Sequence, residues 1–211
     1  MSESLNLKWL EAGIKNPLEE SPALYDAALT AFAEHSFQEA SLNDILKAAG
    51  MNKGSFYYRF RDKMELYLSL LYRVGMEKMQ LFEEHGVSRN SEGFFDEFRN
   101  MAHLGLLLAK KDPRFMPFSR RILQEDPAVR ERIVASFGSM RSPLLTDMVE
   151  RAKSSGEFRK SLPTDTAVFV IETLLNHLDS LIPVEWSDEN ILTAVEQLLD
   201  VLRHGIGGSE T

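Results

Sequence analysis

Asn52 to Phe60 reads NKGSFYYRF, and these nine residues set several side-chain donors in one short stretch. Lys53 and Arg59 are cationic, and Tyr57 and Tyr58 add two hydroxyls. Gly54 and Ser55 are small, so a backbone carrying them can approach a partner surface closely. Donors of these kinds suit phosphate oxygens and the O6 and N7 acceptors of guanine. Phe56 and Phe60 stand four apart, which puts both on one face of a helix and the polar side chains on the other. One face is built to pack and the other to offer donors to a polyanion.

The charge pattern agrees. The 211-residue chain has a formal net charge of -8. Residues 47–63 nevertheless hold Lys47, Lys53, Arg59, Arg61 and Lys63 against Asp62 alone, a local +4. From 76 to 211 there are 16 Lys and Arg against 22 Asp and Glu. Positive charge is focused on one segment, and the remainder repels polyanions.

Other chemistries lack their residues. There is no cysteine, which excludes disulfides and cysteine-ligated zinc or iron–sulfur sites. No HExxH pair or nucleophile elbow occurs. His177 and Asp179, two apart in an apolar helix, fall on different faces. No catalytic residue, metal ligand or cofactor is expected, although an enzyme on a helical bundle with carboxylate-bound metal remains a rival that metal analysis would test. The N-terminus lacks the apolar core of a signal peptide. The apolar stretch AVFVIETLL is interrupted by Glu172 and too short to span a bilayer. The expectation is a cytoplasmic protein without a membrane partner.

The elements that must hold Asn52–Phe60 follow from periodicity. Apolar residues recur at helical spacing, and no segment alternates with period two for long. The chain reads as all-α, with about nine helices and an N-terminal extra over Leu5–Ile14. Pro22 opens a helix to His35 on which Leu24, Ala28, Ala31 and Phe32 recur on one face. Ser41 and Asp44 open a short helix, ended at Gly50, where the turn wants positive φ. Asn52 caps the next helix, and Asp62 with Glu65 opens a long one to about Glu84. Further helices are expected over 91–111, 113–124, 127–155 with a kink at Pro143, 163–181 and 188–204. Helix, tight turn and helix around Gly50 make a helix-turn-helix, whose second helix enters the major groove with its N-terminal residues on base edges.

From Ala23 to Leu66 the sequence resembles the DNA-binding domain of the tetracycline repressor (TetR) family of transcriptional regulators. Leu24, Ala28, Phe32, Phe37, Ile45, Ala49, Gly50, Ser55, Tyr57, Phe60 and Lys63 sit in register with the family pattern in one gapless frame. The resemblance implies a three-helix helix-turn-helix domain over 1–62 and an effector-binding and dimerisation domain over 63–211. It implies phosphate contacts from Ser41 and Tyr57, and a backbone-holding role for Lys63. Lys53, Gly54, Ser55 and Tyr58 occupy base-facing positions, and Arg59 and Arg61 could add phosphate contacts. Ser41, Asn52 and Ser55 also suit plain helix caps, and Lys47 and Arg61 solvated surface charge. Three departures stand out. Ser36 replaces a family glycine, at a cost of about 1 kcal/mol if the cap is left-handed. Ala40 replaces a common Thr. The segment NPLEESPAL is acidic where the family has a basic arm.

The resemblance further implies a small-molecule effector and a homodimer on a pseudo-palindromic double-stranded DNA operator. Candidate pocket residues are Phe98, Met101, His103, Phe118, Arg121, Phe137, Met140 and Asn176, against the plainer reading that such Phe and Met residues fill the core. Candidate interface residues are Val168, Ile171, Leu175 and Leu178 on one helix and Val195, Leu198 and Leu202 on the next. The best reading is a ligand-responsive repressor released by a largely apolar or aromatic effector. The acidic bulk and the three departures leave a second reading open, a helical interaction module whose head no longer binds DNA.

Overall fold

The computed structural model describes residues 7–84, 93–137, 143–181 and 187–206. Among them there are eleven helices and no strand: α1 Lys8–Glu11, α2 Pro22–Glu34, α3 Leu42–Ala48, α4 Lys53–Arg59, α5 Lys63–Glu84, α6 Phe94–Lys111, α7 Phe115–Gln124, α8 Pro127–Phe137, α9 Pro143–Ser155, α10 Thr164–Leu181 and α11 Asp188–Ile206. No helix among the described residues is long and apolar enough to cross a membrane. The chain divides into two compact units, one of residues 1–81 and 108–140, the other of 82–107 and 141–211.

In the first unit, local signals set the helix starts. Pro22 opens α2, where its missing N–H costs nothing. Ser41 Oγ accepts from the Asp44 amide, and Asn52 Oδ1 accepts from the Ser55 amide at 2.8 Å. Asp62 Oδ1 takes the Glu65 amide at 2.8 Å, and Glu65 reaches back to the Arg61 amide at 2.6 Å. Gly50 has φ 62°, which permits the tight turn between α3 and α4.

The first core holds Leu24, Ala28, Phe32, Ile45, Phe56, Phe60, Leu66 and Tyr67, with Phe115 and Phe118 of α7 and Val129 and Ile133 of α8. Helix α7 lies along α2 and is tied to it at both ends. Arg114 Nη1 donates to Asp26 Oδ1 and to Thr30 Oγ1, each at 2.7 Å. Arg121 Nε donates to the Ala33 carbonyl at 2.8 Å, and its Nη2 to that of Glu34. The second arginine thus neutralises the negative end of α2 and satisfies two of its last carbonyls. The Arg114 guanidinium hydrogen-bonded to Asp112 holds that carboxyl below the usual range.

The second unit packs Phe94, Phe95 and Phe98 of α6 with Leu145, Met148 and Val149 of α9, Phe158 of the connection that follows α9, Val168 and Ile171 of α10, and Val195, Leu199 and Leu202 of α11. The Glu157 carboxylate accepts the Phe94 amide at 2.8 Å, capping α6. Arg99 of α6 pairs with Glu196 of α11, and Arg151 of α9 pairs with Glu97 at 2.6 Å.

Two expectations change. The helix foreseen over 127–155 is two helices, α8 and α9, with Pro143 at the start of the second instead of at a kink. A proline has no N–H to give and suits a first turn better than an interior. Nor is Ser36 left-handed, because no described non-glycine residue has positive φ. Its amide and Oγ both donate to Glu39 Oε2, at 3.0 and 2.7 Å, and His35 before it is extended at φ −128°. The loop is closed by side-chain bonds, so the glycine is not needed and its replacement carries no strain.

Candidate nucleic-acid interface

Helix α4 separates its two faces sharply. Phe56 and Phe60 are 0% exposed, with ring centroids 5.4 Å apart, and they root the helix in the core. Tyr57 is 50% exposed and Tyr58 79%, far above what large aromatics tolerate in a core. Lys53 and Gly54 are exposed beside them, at the N-terminal end. Ser55 and Arg59 are half-buried, and Arg59 Nη1 is bonded to the Ser55 carbonyl at 3.2 Å. Gly54 has a second reason to be glycine: a Cβ there would lie 3.3 Å from Asn52 Oδ1, which caps the helix. Ser41 is exposed at the start of α3, where its Oγ caps that helix. Lys53, Tyr57 and Tyr58 share the exposed side of α4, and Ser41 opens the neighbouring helix.

Lys63 stands elsewhere than expected. Its ammonium donates to the carbonyls of Phe37 at 2.6 Å, Ala40 at 2.9 Å and Gln38 at 3.5 Å, and lies 4.5 Å from the Phe37 ring centroid. An ammonium has three donors, and all three are committed to the loop between α2 and α3. Burial lowers its pKa, and the Glu125 charge partly restores it. Lys63 is therefore a clasp on the loop that orients α3. Arg61 is engaged as well, with Glu11 at 3.2 Å and Glu65 at 3.3 Å.

Two further side chains carry no signal in residue type or spacing. Glu125, between α7 and α8, is 4% exposed. Its Oε1 accepts from the Phe37 amide at 2.8 Å and from the Tyr67 hydroxyl at 3.2 Å, while Oε2 is buried without a hydrogen-bond partner among the described residues. Lys8 lies in α1, far before α4 in sequence, yet donates to the Tyr58 carbonyl at 2.8 Å. Both reach across long stretches of chain, which a spacing pattern does not register.

The pocket candidates are divided between the two units. Phe118 is 0% exposed in the first core, Arg121 caps α2, and Phe137 is 37% exposed on α8. Phe98 and Met101 belong to the second core, and His103 is exposed. Met140 lies outside the described residues, as does the side chain of Asn176. Of the interface candidates, Val168, Ile171, Val195 and Leu202 are at most 5% exposed and buried within the chain's own second core. They are covered already and have no area left for a second copy. Leu198 is half-buried, and the side chains of Leu175 and Leu178 lie outside the described residues. Among the described side chains, the large apolar residues exposed on these two helices are Phe169 at 63% and Val201 at 68%.

Residues 24–70 match the model of bacterial regulatory proteins, tetR family. A curated relative, the HTH-type transcriptional repressor AcnR of Corynebacterium diphtheriae, is 22% identical over 191 residues, covering 89% of this chain and 91% of that protein. A TetR family transcriptional regulator from Chloroflexus aurantiacus is 26% identical, with a TM-score of 0.68 over 90% of this chain and 94% of its own. The fold is also that of the transcriptional regulator FadR from Bacillus subtilis, solved in complex with stearoyl-CoA, with a TM-score of 0.69 at 18% identity over 88% and 98% of the two chains.

Proposed function

As this chain belongs to the tetR family of bacterial regulatory proteins, we propose that it is a ligand-responsive transcriptional repressor that holds a pseudo-palindromic DNA operator as a homodimer and releases it when an effector binds. The observation that carries the reading is the two-faced α4, with Phe56 and Phe60 buried behind exposed Lys53, Tyr57 and Tyr58. In this reading Lys53 and Tyr58 meet base edges at the N-terminal part of the reading helix, and Gly54 and Ser55 keep the approach close. Tyr57, Ser41 and Arg59 serve phosphates, which fix register without reading sequence. Lys63 acts indirectly, by holding the loop before α3.

The functional division is at residue 62: the head reads, and 63–211 senses and dimerises. Phe169 and Val201, exposed on α10 and α11, are the side chains for a second copy to cover. Two reading helices must sit about 34–36 Å apart to enter successive major grooves. An effector that prefers a conformer with another spacing weakens DNA binding by linkage. FadR, solved with stearoyl-CoA, supports an effector with a large apolar part. The role is binding without a catalytic step, and an operator as target puts it in the cytoplasm.

The test is a salt series of competition binding with full-length protein and DNA from its own upstream region. Selective binding whose logarithm falls linearly with log salt is expected. Binding that is absent, or equal for unrelated DNA, overturns the reading.

A further inference from the structure

The segment NPLEESPAL that leads into α2 is acidic where a DNA arm would be basic, and residues 7–18, which run into it, are firmly placed. Leu7 and Leu18 are 0% exposed, and Trp9 is 3%. The Trp9 indole donates to Ser69 Oγ at 2.7 Å, and Asn16 Nδ2 to the Ser69 carbonyl at 2.8 Å. The Lys8 amide donates to Glu65 Oε1, and Glu11 pairs with Arg61 at 3.2 Å. Residues 7–18 are thus fastened along α5, and they deliver one cation to the end of α4.

That end needs it. Helix α4 has only seven residues, so its last carbonyls make up much of its hydrogen-bonding capacity. The Ser55 carbonyl accepts from Arg59 at 3.2 Å and that of Phe56 from the Phe60 amide at 2.9 Å. The carbonyls of Tyr57 and Tyr58 accept from Lys8 Nζ, at 3.5 and 2.8 Å. The ammonium also sits at the negative end of the helix dipole, where a cation stabilises the last turn. Tyr57 and Tyr58 are the residues whose side chains stand out from the head.

We propose that Lys8 is a positioning residue for DNA recognition: carried on a strap along α5, it caps the C-terminal end of the reading helix and touches no DNA itself. The proposal rests on the reading that α4 binds DNA. It commits the N-terminal segment to an internal brace in place of a groove-entering arm.

The experiment compares wild type, Lys8→Met and Lys8→Arg on the upstream DNA fragment over a salt series. Met keeps the apolar stem and loses the donors; Arg keeps charge and donors. Lys8→Met is expected to bind about three- to tenfold more weakly, with the slope of log K against log salt unchanged, and Lys8→Arg to stay within about twofold of wild type. A slope shallower by about 0.9 in Lys8→Met would mean a lost phosphate contact and overturn the proposal. Unchanged affinity would overturn it too. Should Lys8→Met fail to fold, lysine acetylation of wild type with and without the fragment decides. Lys53 is expected to become protected and Lys8 to react equally in both states, whereas protection of Lys8 by DNA refutes the brace. If wild type itself binds no DNA selectively, the proposed function fails first and this proposal falls with it.

Discussion

Replacing Glu125 by Ala and by Gln separates two things that its carboxylate does. Its Oε1 takes the Phe37 amide and the Tyr67 hydroxyl, at 2.8 and 3.2 Å. Its charge faces the Lys63 ammonium. Alanine strands both donors in or near the core, each at about 1–3 kcal/mol. Relief of the buried charge and of the unpartnered Oε2 offsets part of this. The net expectation is a loss of about 2–4 kcal/mol. Glutamine keeps an acceptor in place and loses only the attraction to a partly exposed lysine, for which about 1 kcal/mol or less is expected. Urea unfolding measures both. There are two tryptophans, so a Trp186→Phe background leaves fluorescence to Trp9, which is 3% exposed in the same unit. Glu125→Gln as damaging as Glu125→Ala would mean that charge, not hydrogen bonding, holds the loop. Glu125→Ala within about 0.5 kcal/mol of wild type would refute the tie altogether.

Phe56→Ala, which empties a fully buried site, should cost about 3–5 kcal/mol in the same assay. Tyr57→Phe should leave stability within about 0.5 kcal/mol while weakening binding to all DNA sequences alike, and preference lost at one base pair only would contradict its phosphate role. Burial first, and Glu125 and Glu77 second, push the Tyr67 and Tyr25 phenols well above the usual range. A folded pKa raised above the unfolded one gives stability that is complete below about pH 10 and declines as pH climbs past it. Denaturation between neutral and alkaline pH should show that decline, flattened by Tyr67→Phe with Tyr25→Phe; an equally steep fall in the double variant counts against it. Phe169→Asp with Val201→Asp should yield monomers in analytical ultracentrifugation and weaken operator binding, and a dimer that survives both changes sends the interface elsewhere.

What the sequence disclosed was local. Asn52, Ser41, Asp62 with Glu65, and Gly50 act on amides or turns within four residues, so their types and spacing sufficed. The two-faced α4 was legible for the same reason, since Phe56 and Phe60 share a face by helical geometry alone. Contacts across long loops were not legible. Register marked Lys63 as a residue that holds backbone, but only the Phe37 and Ala40 carbonyls around it show that it holds a loop of its own chain. Glu125 and Phe37 are 88 residues apart, and Lys8 and Tyr58 are 50. The α10 and α11 stripes were visible, but periodicity marks an apolar face without saying what covers it. Val168 and Val195 turned out to face their own core, and the exposed Phe169 lies beside that stripe.

The arginines at both ends of α7 bear on how this head could be borrowed. A chimera that carried residues 1–62 onto a foreign sensor would leave Arg114, Arg121 and Glu125 behind. The tail of α2 would then show bare carbonyls at Ala33 and Glu34, the Phe37 amide would lose its acceptor, and Asp26 its counter-ion. The portable cassette is discontinuous in sequence, and a working transplant must bring the α7 stretch along with the helices that read.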